Sequence, residues 1–136
     1  MAWVVDTCLL LDIGLDDPRF AAKSEQLLDG KAAEGLVICP VTYVELAPAF
    51  GGQTKPLDEF LLNLGIDYRE DWTWEDTKQA NAAWSRHVHR RRAKQAAKRP
   101  VADVLIGAFA LRFNGLLTRN SADFASLLET LKIVEP

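Results

Sequence analysis

The sequence predicts a three-layer α/β/α domain with a central, mostly parallel sheet, and three observations carry that expectation. Short apolar runs of strand length alternate with segments of helical periodicity along the whole chain, a pattern that places helices on both faces of a parallel sheet. At 136 residues the chain is long enough to bury one core, and residues 1–136 read as a single domain. Between Pro100 and Phe124, a run that is apolar almost all round, Val104 to Leu111, stands directly before a short strand at Leu116 and Leu117. A helix written that way is buried on more than one side.

The elements follow in order. Ala2 to Val5 reads as a buried strand ending at Asp6, and Leu9 to Ile13 as a short helix closed by Gly14. Asp17 followed by Pro18 marks a helix start with proline in the first turn; Phe20, Ala21, Leu27 and Leu28 give its apolar face, which stops by Gly35. Leu36 to Cys39 forms a second strand. A helix from Pro40 carries Val41, Val44, Glu45 and Leu46 until Pro48 and the Gly51-Gly52 pair break it.

Thr54 to Leu64 is helical, with Leu57, Phe60, Leu61 and Leu64 at three-to-four spacing and Gly65 as the stop. Ile66 to Tyr68 adds a small strand. Thr73 and Asp76 can cap the next helix, whose buried side is expected at Trp74, Ala80, Trp84 and Val88. After the apolar helix that opens at Asp103, Gly115 is the stop and Leu116-Leu117 the strand. Leu127 to Leu131 reads as a short helix or turn, and Ile133-Val134 as the last strand.

Composition excludes several classes. Apolar residues make up 49% of the chain, an ordinary globular share, and no segment approaches the roughly 18 consecutive apolar residues of a membrane span. The start runs straight into a strand pattern without a basic leader, so a cytoplasmic protein is expected. Two cysteines, Cys8 and Cys39, are too few for a disulfide framework or a zinc site and read as packed free thiols. A net charge of −3 argues against binding nucleic acid over the whole surface and leaves room for a local basic patch. Gly-x-Gly-x-x-Gly and the P-loop pattern are both missing from the sequence, which disfavours nucleotide cofactors.

Three acids stand in apolar surroundings, Asp6, Glu45 and Asp103, with Asp123 as a fourth near Asn120. Each has a local explanation: Asp6 capping the helix after it, Glu45 returning a bond to Thr42 in a capping box, Asp103 offsetting a helix dipole, Asp123 capping the final turn. Together they point elsewhere. Asp6 closes one strand, Asp123 closely follows another, and the helices carrying the other two can reach the same carboxyl edge, where open α/β sheets bind ligands. Carboxylates crowded there repel one another and lose solvation, so the cluster needs a compensating cation; oxygen-only ligands favour Mg²⁺ or Mn²⁺ over zinc.

At these residues the sequence resembles the PIN domain family, and within it the small VapC-like ribonuclease toxins of toxin-antitoxin pairs. The resemblance covers nearly the whole chain. It rests on Val-Val-Asp-Thr-Cys-Leu-Leu-Leu from Val4, Val-Thr-Tyr-Val-Glu-Leu from Val41, Ala-Asp-Val-Leu-Ile-Gly-Ala-Phe-Ala from Ala102, and Leu-Leu-Thr-Arg-Asn-Ser-Ala-Asp-Phe from Leu116. It implies a PIN-like fold and a metal-dependent endoribonuclease in which Asp6, Glu45 and Asp103 hold the metal. The family often has an aspartate where Asn120 stands; Asn120 offers only a neutral oxygen, and Asp123 can supply the missing charge. Thr7 and Thr118 resemble the family's hydroxyls beside the acids. The resemblance further implies RNA as substrate, cleavage leaving a 5′-phosphate, an antitoxin partner and a homodimer.

Residues 77 to 102 hold no acidic side chain, and Arg86, Arg90, Arg91, Arg92, Lys94, Lys98 and Arg99 crowd the approach to Asp103. They can grip an RNA backbone, dock an acidic antitoxin segment, or simply face solvent. His87 and His89, two apart on a helix, cannot form a metal pair and read as surface or nucleic-acid contacts. Trp72, Trp74 and Trp84 are expected in the core or an interface rather than stacked on bases. Two rivals remain: a catalytically inactive PIN-like domain that binds RNA or a partner, and a receiver-type domain phosphorylated on Asp6. The second lacks a further aspartate two residues after Asp6.

Overall fold

The computed structural model describes residues 1–94 and 101–136, with side chains 91–94 left out of the description. Among the described residues, five parallel strands form one sheet in the order β3-β2-β1-β4-β5. The strands are β1 (Trp3–Val5), β2 (Leu36–Val37), β3 (Ile66–Asp67), β4 (Gly115–Leu117) and β5 (Ile133–Val134). The helices are α1 (Thr7–Gly14), α2 (Ala21–Lys31), α3 (Pro40–Glu45), α4 (Thr54–Asn63), α5 (Trp74–Lys94), α6 (Val101–Ala110) and α7 (Ser121–Leu127). The expected three-layer α/β/α architecture is the one observed.

Alternation along β1 builds the two cores. Trp3 and Val5 face a cluster with Leu9, Leu10, Leu28, Leu57 and Leu61 from α1, α2 and α4. Val4 faces the opposite cluster, where Val104, Phe109, Phe124 and Leu127 come from α6 and α7, and Ala80 and Ala83 from α5. A strand buried on both faces is apolar throughout, as the sequence of β1 is.

Several boundaries differ from expectation for local reasons. The second helix begins at Ala21 and not at Asp17, because the Asp17 carboxylate accepts the N–H groups of Arg19 and Phe20 in a separate turn. The short helix near the end is Ser121–Leu127, and the expected helix or turn at Leu127 to Leu131 is the turn that follows it. Trp74, expected on the buried side of α5, is 75% exposed. Asp76 sets the phase of that helix: its carboxylate accepts the Thr73 N–H while the Thr73 hydroxyl accepts the Asp76 N–H, and it turns inward to Arg112. Trp74, two residues earlier, then points nearly the opposite way.

Gly115 is required where it stands. Its φ is +152°, and a Cβ there would strike the Lys132 carbonyl oxygen and the Trp3 ring, so β4 could not lie between β1 and β5 with a larger residue. Arg112 ties α6 to the start of α5: its Nε lies 2.9 Å from Asp76, which is buried, and its guanidinium also covers the rings of Phe109 and Phe113. Arg112→Ala leaves a buried carboxylate uncompensated and should cost on the order of 3 kcal/mol, read as a lower denaturant midpoint at unchanged slope.

Candidate metal centre

The site is built at the carboxyl end of the central strand. β1 runs straight into Asp6, whose backbone N–H bonds to the Leu117 carbonyl of β4 at 2.9 Å, so the residue is fixed between two strands. Its extended backbone (φ −73°, ψ 150°) makes it the N-cap of α1, and its Oδ1 accepts the Thr7 N–H at 2.8 Å. The local capping role holds and does not use up the carboxylate. Oδ2 accepts the Thr118 hydroxyl at 2.6 Å and faces the Cys8 thiol at 3.3 Å.

Asp6 is 4% exposed. Burial pushes its carboxyl above the usual range, and the negative charge of Glu45 adds to the push; the bonds from Thr118, Cys8 and the Thr7 N–H work against it without cancelling it.

Glu45 closes α3 with its side chain at the solvent edge, and its Oε1 accepts the Thr7 hydroxyl at 2.6 Å. Thr42 Oγ1 lies 2.9 Å from the same hydroxyl. Glu45 is therefore tied to α1 rather than returning a bond to Thr42. One residue, Thr7, bonds both acids: its N–H serves Asp6 and its hydroxyl serves Glu45.

Asp103 occupies the first turn of α6, half-buried and not without a partner. Among the described residues no three Asp, Glu, His or Cys side chains are gathered closely enough to share one ion. The structure thus joins Asp6 to Glu45 and keeps Asp103 outside a common cluster with them. Asn120 is exposed just before α7, makes no side-chain cap, and gives its N–H to the Thr118 hydroxyl at 3.0 Å. Asp123 is exposed in the first turn of α7.

The donors fit a hard divalent cation. They are oxygens throughout, and a buried carboxylate with a raised pKa beside a second acid is relieved most directly by positive charge. The two thiols do not compete: burial pushes Cys8 up to about 11 and Cys39 up to about 12, so both stay protonated and free.

Arg86 and Arg90 are exposed on α5, and Arg86 lines a hollow of about 370 Å³ with Gln79, Leu111 and Glu129. Arg91, Arg92 and Lys94 belong to α5 with side chains outside the description, and Lys98 and Arg99 lie outside the described residues. His87, expected at the surface, packs its ring 5.7 Å from Trp84 and is half-buried. Trp72 meets Phe109 at 6.2 Å, in the core as expected.

Sequence reasoning missed Asp12 and Arg119. Arg119 Nε and Nη2 bond the two Asp12 oxygens at 2.7 and 2.8 Å, joining the connection after β4 to α1. The available signal was a single charge, Asp12, inside the apolar face of α1.

The PIN domain family model matches residues 3–127. The crystal structure described as VapBC2 from Rickettsia felis bound to a DNA fragment from their promoter superposes with a TM-score of 0.61 at 16% identity, covering 99% of this chain and 98% of that one. No curated protein matches the chain in sequence. No helix among the described residues is long and apolar enough to cross a membrane.

The raised Asp6 carboxyl has a consequence for stability. Between its ordinary value of 3.8 and its folded value the native state holds the extra proton, so its contribution is present below 3.8 and is lost as pH rises through the folded value. Without metal, the stability of the protein minus that of Asp6→Asn should fall by about 1.4 kcal/mol per pH unit inside that window and level off above it. Parallel denaturation curves of the two proteins across pH measure it.

Proposed function

The chain belongs to the PIN domain family, and from this we propose that it is a metal-dependent endoribonuclease, the VapC-like toxin of a toxin-antitoxin pair. The observation that carries the reading is the Asp6–Thr7–Glu45 linkage, in which a buried carboxylate and a second acid are held together by one threonine at the carboxyl edge of the sheet. Asp6 and Glu45 would hold Mg²⁺ or Mn²⁺, with Asp103 drawn in by the ion's charge and Asp123 or Asn120 at the rim. A bound ion supplies an acidified water and charge compensation for phosphodiester hydrolysis.

The chain's own side chains do the rest. Thr118 and Thr7 orient the carboxylates as neutral donors, leaving the negative charge intact for the ion. Arg86 and Arg90, with Arg91, Arg92, Lys98 and Arg99, grip the RNA backbone, a contact that weakens with salt. The likeness to VapBC2 supports an antitoxin as protein partner, and the resemblance to VapC-like toxins supports a homodimer.

A second reading has its own observation. The three acids are not gathered into one cluster, which suits a PIN domain that binds RNA or a partner without cutting. Cleavage of RNA separates the two. With Mn²⁺ or Mg²⁺ the protein should cut, and Asp6→Asn and Asp103→Asn should each lower the rate roughly a hundredfold or more. Mn²⁺ at a hundredfold excess over its dissociation constant should stabilise the fold by about 2.7 kcal/mol. A chain that cuts nothing and whose melting temperature ignores Mn²⁺ is the silent form.

A further inference from the structure

Asp12 is 5% exposed, carries a charge, and has no part in the chemistry described so far. It lies on α1 two turns from the site, and its carboxylate is fully engaged: Arg119 binds both oxygens, and the Ser24 hydroxyl of α2 donates to Oδ2 at 3.1 Å. The Arg119 guanidinium also lies 4.0 Å from the centre of the Phe20 ring, on the turn that Asp17 organises. Such an ion pair gains little over an apolar pair of the same size. What it adds is geometry, because a bidentate guanidinium tolerates one orientation.

Arg119 sits in the three-residue connection between β4 and α7, past the last strand residue. This connection carries Thr118, whose hydroxyl donates to Asp6 at 2.6 Å and accepts the Asn120 N–H at 3.0 Å. A hydroxyl has one proton, so its aim is fixed by where its acceptor and its donor stand. The Asn120 N–H stands where Arg119, the residue before it, puts it.

We propose that Asp12 and Arg119 are positioning residues: their ion pair clamps the Thr118–Asn120 connection onto α1 and, through the Thr118 hydroxyl, fixes the Asp6 carboxylate for the cation. The catalytic part of this rests on the nuclease reading above; the clamp itself does not. The pair reaches the reacting centre only through Thr118 and touches neither ion nor RNA.

The test compares Asp12→Asn and Arg119→Lys with Asp76→Asn, which breaks the Asp76–Arg112 pair between α5 and the end of α6. Three quantities are read in the full chain: amide hydrogen exchange at Arg119 and Asn120, Mn²⁺ affinity by titration of free Mn²⁺, and kcat and KM for RNA cleavage. Breaking the clamp should speed exchange at both amides, weaken Mn²⁺ by about tenfold and lower kcat in step with KM unchanged. Asp76→Asn should lower the melting temperature and leave exchange at Arg119 and Asn120 and the Mn²⁺ affinity alone.

Unchanged exchange and Mn²⁺ affinity in folded Asp12→Asn overturn the proposal, as does an equal loss in Asp76→Asn. If Asp12→Asn does not fold, Arg119→Lys, which keeps the charge and gives up the fork, carries the same readings. A parent protein that neither binds Mn²⁺ nor cuts RNA overturns the nuclease reading instead, and hydrogen exchange alone then decides the clamp.

Discussion

A carboxylate has to stay where water scarcely reaches it, at the end of the central strand, and the arrangement of the site follows from how that is tolerated. The strand order β3-β2-β1-β4-β5 leaves β1 in the middle, with the chain stepping outward to one side through β2 and to the other through β4. Asp6 therefore has a neighbour on each side of its strand. From the β2 side, α3 brings Thr42 and Glu45; from the β4 side comes Thr118. The crevice where an open sheet reverses its order is where such folds leave room for a ligand.

The partners given to Asp6 are neutral. A hydroxyl, a thiol and a backbone N–H lower the cost of its charge without removing the charge. Two arginines held by the fold are committed to other acids: Arg119 to Asp12 and Arg112 to Asp76. An arginine on Asp6 would have neutralised the carboxylate in an ion pair. With arginine confined to those two acids, the negative charge of Asp6 and Glu45 stays at the sheet edge, at the expense of the folded state's stability.

How much of this could be read from the chain depended on distance along it. Asp6, Glu45 and Asp103 stood out because an acid in an apolar run breaks a local pattern, and the Thr73–Asp76 box was legible because its two halves are three residues apart. The PIN domain fold was carried by four short segments in order. The Asp12–Arg119 pair joins residues 107 apart, and nothing local distinguishes a paired aspartate from a solvated one. Trp74 failed for a related reason: helical periodicity gives a face, and a contact to Arg112 far along the chain decides which way the face turns. The start of α7 was hidden in a segment too short to show a period.

Asp103 belongs to a different part of the balance. The body of α6 is held firmly: Gly107 allows Leu128 and Phe124 to close on the helix, Phe109 is sealed between Trp72 and Phe113, and Arg112 fixes the far end to α5. None of these contacts involves the first turn, which carries the acid. Val104, next in the chain to Asp103, is nonetheless buried in the same core, so packing positions the helix along its length while the carboxylate answers to the charge around it. Two acids already share the sheet edge, and a third carboxylate brought to them meets their repulsion. Positive charge reverses the sign of that term without asking the core to move. In this architecture, then, packing fixes where the acids can be, and the charge between them fixes whether they meet.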